Sequence, residues 1–347
     1  MTALEAIIRR QIAGIGPMSL HDYMALCLGH PEHGYYITRD PLGRGGDFVT
    51  APEVSQMFGE LLGLSLAQSW LDQGSPARIV LAELGPGRGR LMADVLRAAR
   101  NAPGFRDAAE VWLVETSPVL RTEQARHVPG ARWAEHLNDL PDAPLFLLAN
   151  EFFDALPIRQ YHRQRGAWWE RVVGIEEDKL TFGLQRSALP LGVAEDGTVR
   201  ERCPAASAII GDVATRIARR GGAAIIVDYG YDQPVPLGAD TLQAVCGHGY
   251  ADPLDSPGEA DLTAHVDFGA LADAATGAAT SALITQRDLL IRLGIGARAA
   301  ALAAKGDAAK IEADLRRLTD PDQMGTLFKA LAIHPIGAPP PAGFDPR

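Results

Sequence analysis

Short apolar runs that alternate with amphipathic segments dominate the pattern of this chain. Continuous apolar stretches are typical of parallel strands that are buried on both faces, and they occur at residues 79–82, 111–114, 145–149 and 223–227. Segments with helical spacing lie between or after them, at residues 91–100, 118–127, 205–219 and 268–276. The alternation predicts an α/β fold: a Rossmann-like, doubly wound and mostly parallel sheet.

The first part of the chain has a different pattern. Residues 1–30 predict two helices, and Ser19 can cap the second one. A further helix is predicted from Ala51 to Trp70, with Pro52 at an early position. We therefore expect an N-terminal helical and substrate-loop region at 1–75, followed by the sheet-containing domain at 76–347.

Two insertions, about 158–200 and 231–267, interrupt the alternation of strands and helices in that domain. Residues 159–173 and 179–184 alternate like the strands of a β-hairpin, with the turn near 174–178. We expect the hairpin to leave the ligand side of the sheet and to cap the substrate. Replacing residues 160–182 by a Gly-Ser linker would then impair the reaction on a large substrate but spare binding of a small ligand at the sheet.

A glycine-rich turn follows the first strand of the sheet. Gly85, Gly87 and Gly89 are spaced two apart before a helical pattern, which is typical of a nucleotide-type binding loop. The dinucleotide fingerprint would need its third glycine one residue later. An acidic residue at the end of the strand, Glu83, suits a ligand with an ammonium group, as in S-adenosylmethionine (SAM). A tight turn without a ligand stays an alternative at this point.

Acidic and amide side chains follow the neighbouring strands. Glu115 ends the second strand, where an acid commonly binds ribose hydroxyls. Asn150, Glu151 and Asp154 follow the strand 145–149, and Asp228 ends the strand 223–228. Ligands bind outside the carboxyl ends of such strands, so these residues are site candidates. A helix cap made by Asn150 or Asp154 is the structural alternative.

Candidates for substrate binding are spread over three segments. The glycine-rich stretch before residue 50 contains Asp47 and Phe48, and Glu53 follows it. Among the histidines, His248 and His265 are candidate bases, although a lone histidine is more often structural. Functional residues concentrate on loops of this kind.

Composition excludes several classes of protein. The 347 residues carry a net charge of −10, which is unlike a nucleic-acid binder. The three cysteines are far apart, so we expect a reducing compartment and no metal site. No apolar run has the length of a membrane span, and the N-terminus lacks the apolar region of a signal peptide.

Taken together, the motifs resemble the MidA-like family of class I SAM-dependent methyltransferases. The matching segments cover nearly the whole chain: residues 45–48, 53–60, 83–89, 150–157, 228–230, 241–244 and 261–268. The sequence departs from the family pattern at Arg90 and at residues 285–287. The resemblance implies SAM as the cofactor and arginine methylation of a subunit of respiratory complex I. It also implies a bacterial cytoplasm or, in a eukaryote, the mitochondrial matrix.

The resemblance also suggests roles for the candidates. It implies that Glu83 binds the methionine end of SAM beside the glycines, with Asn150 in the same site. Glu151 would grip the substrate guanidinium, assisted by Asp154 or Asp228, since a carboxylate matches that group. A methyltransferase for another protein residue or a small molecule stays open, as does a SAM-binding assembly chaperone. The sequence leaves the oligomeric state open, with a homodimer as one alternative.

Overall fold

The computed structural model describes residues 1–38, 50–232, 236–247 and 249–347. Its contacts divide the chain into two compact units. The first unit comprises Met1–Phe48, Asp154–Ala206 and Tyr231–Asp267, and the second comprises Val49–Phe153, Ser207–Gly230 and Phe268–Arg347. Both predicted insertions fall in the first unit with the N-terminal helices, whereas the predicted boundary at residue 75 does not coincide with a boundary between units.

A mostly parallel sheet forms the centre of the second unit. Strands Ile79–Leu84 and Leu145–Asn150 are buried at every residue, as their continuous apolar runs predict. The strand order is Ala279–Thr280, Phe328–His334, Gly222–Tyr231, Leu145–Asn150, Ile79–Leu84, Ala109–Val114 and Arg132–Ala134. Phe328–His334 is antiparallel to Gly222–Tyr231, and the strands from Gly222–Tyr231 to Arg132–Ala134 are parallel. This order confirms the doubly wound fold.

Helices accompany the strands of the second unit. Two of them, Gln56–Asp72 and Arg90–Ala98, approach closely because Gly59 and Gly63 lack side chains: a Cβ atom on either would come within 2.8 Å of the facing helix. The other α-helices are Ala51–Val54, Phe105–Ala108, Pro118–His127, Pro204–Arg220, Phe268–Ala274, Gln286–Arg292, Ile295–Ala303 and Ala308–Thr319. Pro204–Arg220 begins in the first unit.

Some predicted elements need correction in this unit. The single helix expected from Ala51 to Trp70 is wrong, because Ser55 has an extended backbone and caps a new helix by accepting from the Met57 N–H. The helices over 118–127 and 205–219 are confirmed within one residue, and the Ser117 side chain caps the first of them. Among the described residues, none of the helices has the length and the apolar composition that crossing a bilayer requires.

The first unit combines helices with antiparallel strands. Its α-helices are Ala3–Ile15, Leu20–Gly29 and Tyr35–Thr38, and Ser19 caps the second helix as predicted. One sheet contains Met18–Ser19, Ala167–Glu176, Arg159–Gln164, Val199–Arg202 and Lys179–Arg186. A smaller sheet contains Gly249–Tyr250, Gln243–Cys246 and Asp261–Thr263.

The predicted β-hairpin is confirmed in its second half. Ala167–Glu176 pairs with Lys179–Arg186 around the turn at Glu177 and Asp178. The single first strand expected over 159–173 is wrong, because Arg165 and Gly166 have positive φ angles and form a turn within it. Val173 is buried in the core of this unit, so the segment contributes to its packing. Its role as a substrate cap stays a prediction.

Gly222 is the first residue of its strand and packs closely against the backbone of Leu145. Its φ angle is +114°, and an added Cβ would lie 2.0 Å from the carbonyl oxygen of Leu145. We expect Gly222→Ala to destabilise the protein by roughly 3 kcal/mol or more, measured by urea unfolding.

The matched control is Gly277→Ala, which has a φ angle of +84° but open space to 4.0 Å. Alanine at this position would have the strained backbone conformation but no steric clash, so we expect the free energy of unfolding to fall by only about 1 kcal/mol. Equal losses in the two variants would show that the close approach to Leu145 is not what selects glycine at 222.

Candidate functional site

The glycine loop follows the central strand at the carboxyl edge of the sheet. Gly85, Gly87 and Gly89 all have positive φ angles, of 57°, 51° and 80°. A Cβ atom on Gly85 would lie 2.7 Å from the ring of Phe152. The spacing of the glycines therefore follows from the backbone conformation of the loop and from the close approach of Phe152.

Glu83 is buried just before this loop. Its side chain accepts a hydrogen bond from the backbone N–H of Met92, in the first turn of Arg90–Ala98. Its Oε2 has no hydrogen-bond partner among the described residues, as an acceptor reserved for a ligand donor would have none. Burial raises the pKa of Glu83 to about 8, and the nearby Asp94 and Glu115 carboxylates contribute to the increase.

Glu115 lies at the end of the neighbouring strand, as the sequence predicts. Its Oε1 accepts from the N–H groups of Thr116 and Ser117, each at 2.8 Å. The side chain of Gln124 donates to its Oε2 at 3.2 Å. Burial raises the pKa of Glu115, and these hydrogen bonds oppose the increase.

A cavity of about 420 Å³ lies beside the loop and Glu115, within the range of small-molecule sites. Residues from five segments line it: Leu84, Gly85, Val114, Glu115, Thr116, Glu135, His136, Leu137, Asn138, Phe152, Ile209 and Asp212. Sequence reasoning missed the segment 135–138, although it follows the short strand Arg132–Ala134 at the same edge. It also missed Ile209 and Asp212, which lie on a helix that has no ligand motif.

The turn after Leu145–Asn150 carries a strained residue. Glu151 is a non-glycine residue with a φ angle of +49°, a conformation that concentrates at functional sites. Its backbone N–H donates to the Val227 carbonyl at 3.0 Å. Its Oε1 accepts from Ala51 N–H at 3.3 Å and from the side chain of the buried Asn150 at 3.2 Å. The carboxylate is thus oriented at the edge of the sheet.

Asp228 holds the same turn from the next strand. The side chain is fully buried, and its Oδ2 accepts from the N–H groups of Phe152 and Phe153 at 3.1 and 3.0 Å. Its Oδ1 accepts from Tyr229 N–H at 3.0 Å. Because Phe152 also lines the cavity, the Asp228 carboxylate orients one wall of the site.

Glu53 forms an ion pair with Arg90, at 2.8 Å between Oε2 and Nε. Arg90 is one of the two departures from the family pattern, and this contact gives it a partner at the start of Arg90–Ala98. The predicted role of Glu53 in substrate binding stays a prediction.

The remaining candidates are assigned to the first unit or lie outside the described residues, so their predicted roles stay predictions. Asp154 and His265 are in the first unit, where the Asp154 carbonyl accepts from Ala264 N–H and the His265 N–H donates to Thr241. Asp47, Phe48 and His248 lie outside the described residues. The second unit therefore brings together the loop glycines with Glu83, Glu115, Asn150, Glu151 and Asp228.

Comparison with known proteins identifies the class of fold and site. A family model of S-adenosyl-L-methionine-dependent methyltransferases matches residues 61–285. A structure from Burkholderia thailandensis, solved with bound S-adenosyl-homocysteine, superposes with a TM-score of 0.84 at 30% identity, covering 96% of this chain and 92% of that one. The chain belongs to this family of SAM-dependent methyltransferases, which confirms the predicted fold and enzyme class.

Curated relatives carry a more specific name. The human protein arginine methyltransferase NDUFAF7, mitochondrial, is 37% identical over 94% of this chain and 82% of its own. The Xenopus laevis protein of the same name is 36% identical over 96% of this chain and 87% of its own. Similarity therefore extends through both compact units.

The residues of the site fit SAM, the cofactor of the family. Gly85 of the glycine loop borders the cavity, and the Glu115 carboxylate follows a strand end, where a ribose is bound in such folds. The unpartnered Glu83 oxygen would accept from a donor of the ligand. SAM rather than NAD is the confirmed cofactor, and the role of each residue stays a prediction.

From the raised pKa of the buried Glu83 carboxyl, we predict that the stability of the folded protein depends on pH. Its folded-state pKa of about 8 lies above the ordinary value of 4.5, so the unfolded chain binds fewer protons between these values. Stability must then fall as the pH rises through this window. We expect Glu83→Gln, without ligand, to gain stability relative to the wild type by more than about 1 kcal/mol between about pH 5 and pH 8, measured by urea unfolding.

The exposed Glu312, on the Ala308–Thr319 helix, supplies the control variant Glu312→Gln. It should follow the wild type over the whole pH range. A Glu83→Gln profile parallel to that of the wild type would contradict a neutral buried carboxyl at position 83.

Proposed function

We propose that this protein is a protein arginine N-methyltransferase that acts on a subunit of respiratory complex I or a similar protein. The observation that carries the proposal is Glu151: a carboxylate held by a left-handed backbone at the edge of the sheet, next to the residues that border the cavity. The name of the curated relatives, protein arginine methyltransferase, supports the same substrate class.

Arginine needs help to act as a nucleophile. Its guanidinium stays protonated in proteins, with a pKa above 12, and its electrons are delocalised over three nitrogens. A carboxylate that binds two of the nitrogens would localise charge there and would aim the third. We assign this grip to Glu151, assisted by Asp154 or Asp228 as the sequence predicts. Because the Asp228 carboxylate is fully buried on backbone N–H groups, its assistance would be to orient the turn that carries Glu151.

Methyl transfer is an in-line displacement, so alignment dominates the work of the protein. SAM supplies the electrophilic methyl group when it is bound. Glu115 would hold the ribose hydroxyls, the loop backbone of Gly85, Gly87 and Gly89 would pack beside the amino-acid end, and Glu83 with Asn150 would complete the contact. The Asn150 amide, which donates to Glu151, would also keep the gripping carboxylate in place.

The net charge of the chain and the names of its relatives also suggest the kind of substrate protein and the compartment. The substrate would be a protein with an accessible arginine, and the net charge of −10 favours a basic segment around it. The curated relatives are named as mitochondrial, which supports the matrix for a eukaryotic source, and a bacterial cytoplasm stays the alternative. The oligomeric state, including a homodimer, stays open.

Glu151→Gln tests the grip directly. The substitution keeps the size of the side chain and removes its charge, so we expect SAM affinity to change little. Methylation should fall by roughly 10²-fold or more, as expected when a transition-state contact is lost. The assay is transfer of a labelled methyl group to complex I subunits from cells that lack the protein, followed by mass spectrometry of arginine.

The control for charge removal is Asp142→Asn, an exposed carboxylate that pairs with Arg220. It should retain the activity of the wild type. If Glu151→Gln instead loses SAM affinity, Glu151 belongs to the cofactor site. Methylation of another residue type by the wild type would overturn the arginine proposal.

A further inference from the structure

A fully buried glutamine lies beneath the cofactor loop. Gln124 is on the Pro118–His127 helix and has no solvent-exposed surface. A buried amide is costly unless its hydrogen bonds are satisfied, so its partners are informative. They come from three segments that surround the site.

The orientation of the Gln124 amide is determined by Trp133. The indole Nε1–H donates to Gln124 Oε1 at 2.7 Å. Because an indole N–H can only donate, the oxygen of the amide must face Trp133 and its NH₂ group must face the other way. The assignment of oxygen and nitrogen therefore follows from chemistry.

The NH₂ group connects the two halves of the cofactor site. Gln124 Nε2 donates to the carbonyl oxygen of Gly87 at 2.7 Å and to Glu115 Oε2 at 3.2 Å. The first contact fixes a peptide of the glycine loop, and the second fixes the carboxylate that lines the cavity. One side chain thus holds the loop and the carboxylate at a constant separation.

Gly89 allows this arrangement. A Cβ atom added at Gly89 would lie 3.3 Å from the Cα atom of Gln124, so the loop packs directly against the helix. The other carboxylate oxygen, Glu115 Oε1, accepts from the amides of Thr116 and Ser117. Both oxygens of Glu115 are therefore oriented before any ligand binds, which reduces the ordering cost of binding.

We propose that Gln124 is a positioning residue that sets the selectivity of the site for a ligand with ribose hydroxyls. It acts through Glu115 and Gly87 and not by contact with the ligand. The inference rests on the proposed role of Glu115 at the ribose. A glutamine that served only the packing of its helix would affect all ligands of the cavity equally.

The test compares S-adenosylhomocysteine with its 2′-deoxy analogue by calorimetric titration. The wild type should prefer the ribose form by about tenfold or more, as expected for a hydrogen bond to a charged acceptor. Gln124→Met, which keeps the length but removes the amide, should weaken binding of the ribose form by about tenfold and reduce the preference to within about threefold. Affinity for the deoxy analogue should change less.

Trp133→Phe is a second variant that leaves Gln124 in place and frees its amide to rotate. It should also reduce the preference, by a smaller factor than Gln124→Met. The matched control is Gln68→Met, an exposed glutamine that contacts Asp72. It should bind both ligands like the wild type.

Glu115→Gln distinguishes a failure of the proposed ribose-binding role of Glu115 from a failure of the positioning role of Gln124. If that variant keeps the preference for ribose, the proposed role of Glu115 fails. If Glu115→Gln loses the preference but Gln124→Met and Trp133→Phe retain it, only the positioning role of Gln124 is overturned. Equal loss of affinity for both ligands in Gln124→Met would also overturn it.

Discussion

Parallel pairing of the central strand with both of its neighbours is the constraint on which the site depends. Leu84 lies opposite Val114 on one side and Ala149 on the other. The chain therefore leaves these strands at one edge, and the next residues are Gly85, Glu115 and Asn150. This is the point where the strand order reverses, and open α/β sheets bind ligands there.

Buried carboxylates organise the segments that leave this edge. Glu83 accepts from the Met92 amide, Glu115 from the amides that follow it, and Asp228 from Phe152 and Phe153. Each carboxylate compensates part of the cost of its burial with backbone N–H donors. Glu115 and Asp228 in turn restrict segments whose residues Thr116 and Phe152 line the cavity, and Glu83 restricts the first turn of the Arg90–Ala98 helix. The acidic residues thus determine the conformation of the segments around the site as well as its charge.

The sequence predicts the sheet and the strand-end residues well, because both depend on local patterns. Continuous apolar runs indicate the central strands, and the glycine spacing indicates the loop. Gln124 and the 135–138 segment could not be found in this way, because their roles depend on pairing between strands and helices that are distant in sequence. The helix break at Ser55 and the turn at Arg165 were also missed. No glycine or proline stands at Ser55, and Arg165 itself comes one residue before the glycine of its turn.

The most direct measurement is a comparison of arginine methylation in respiratory complex I subunits from cells that carry and cells that lack this protein. Mass spectrometry should find a methylated arginine in one subunit only when the protein is present. Re-expression of the wild type, but not of Glu151→Gln, should restore the modification. Identical arginine methylation of every subunit in the two cell types would contradict the assignment of this site to a complex I subunit.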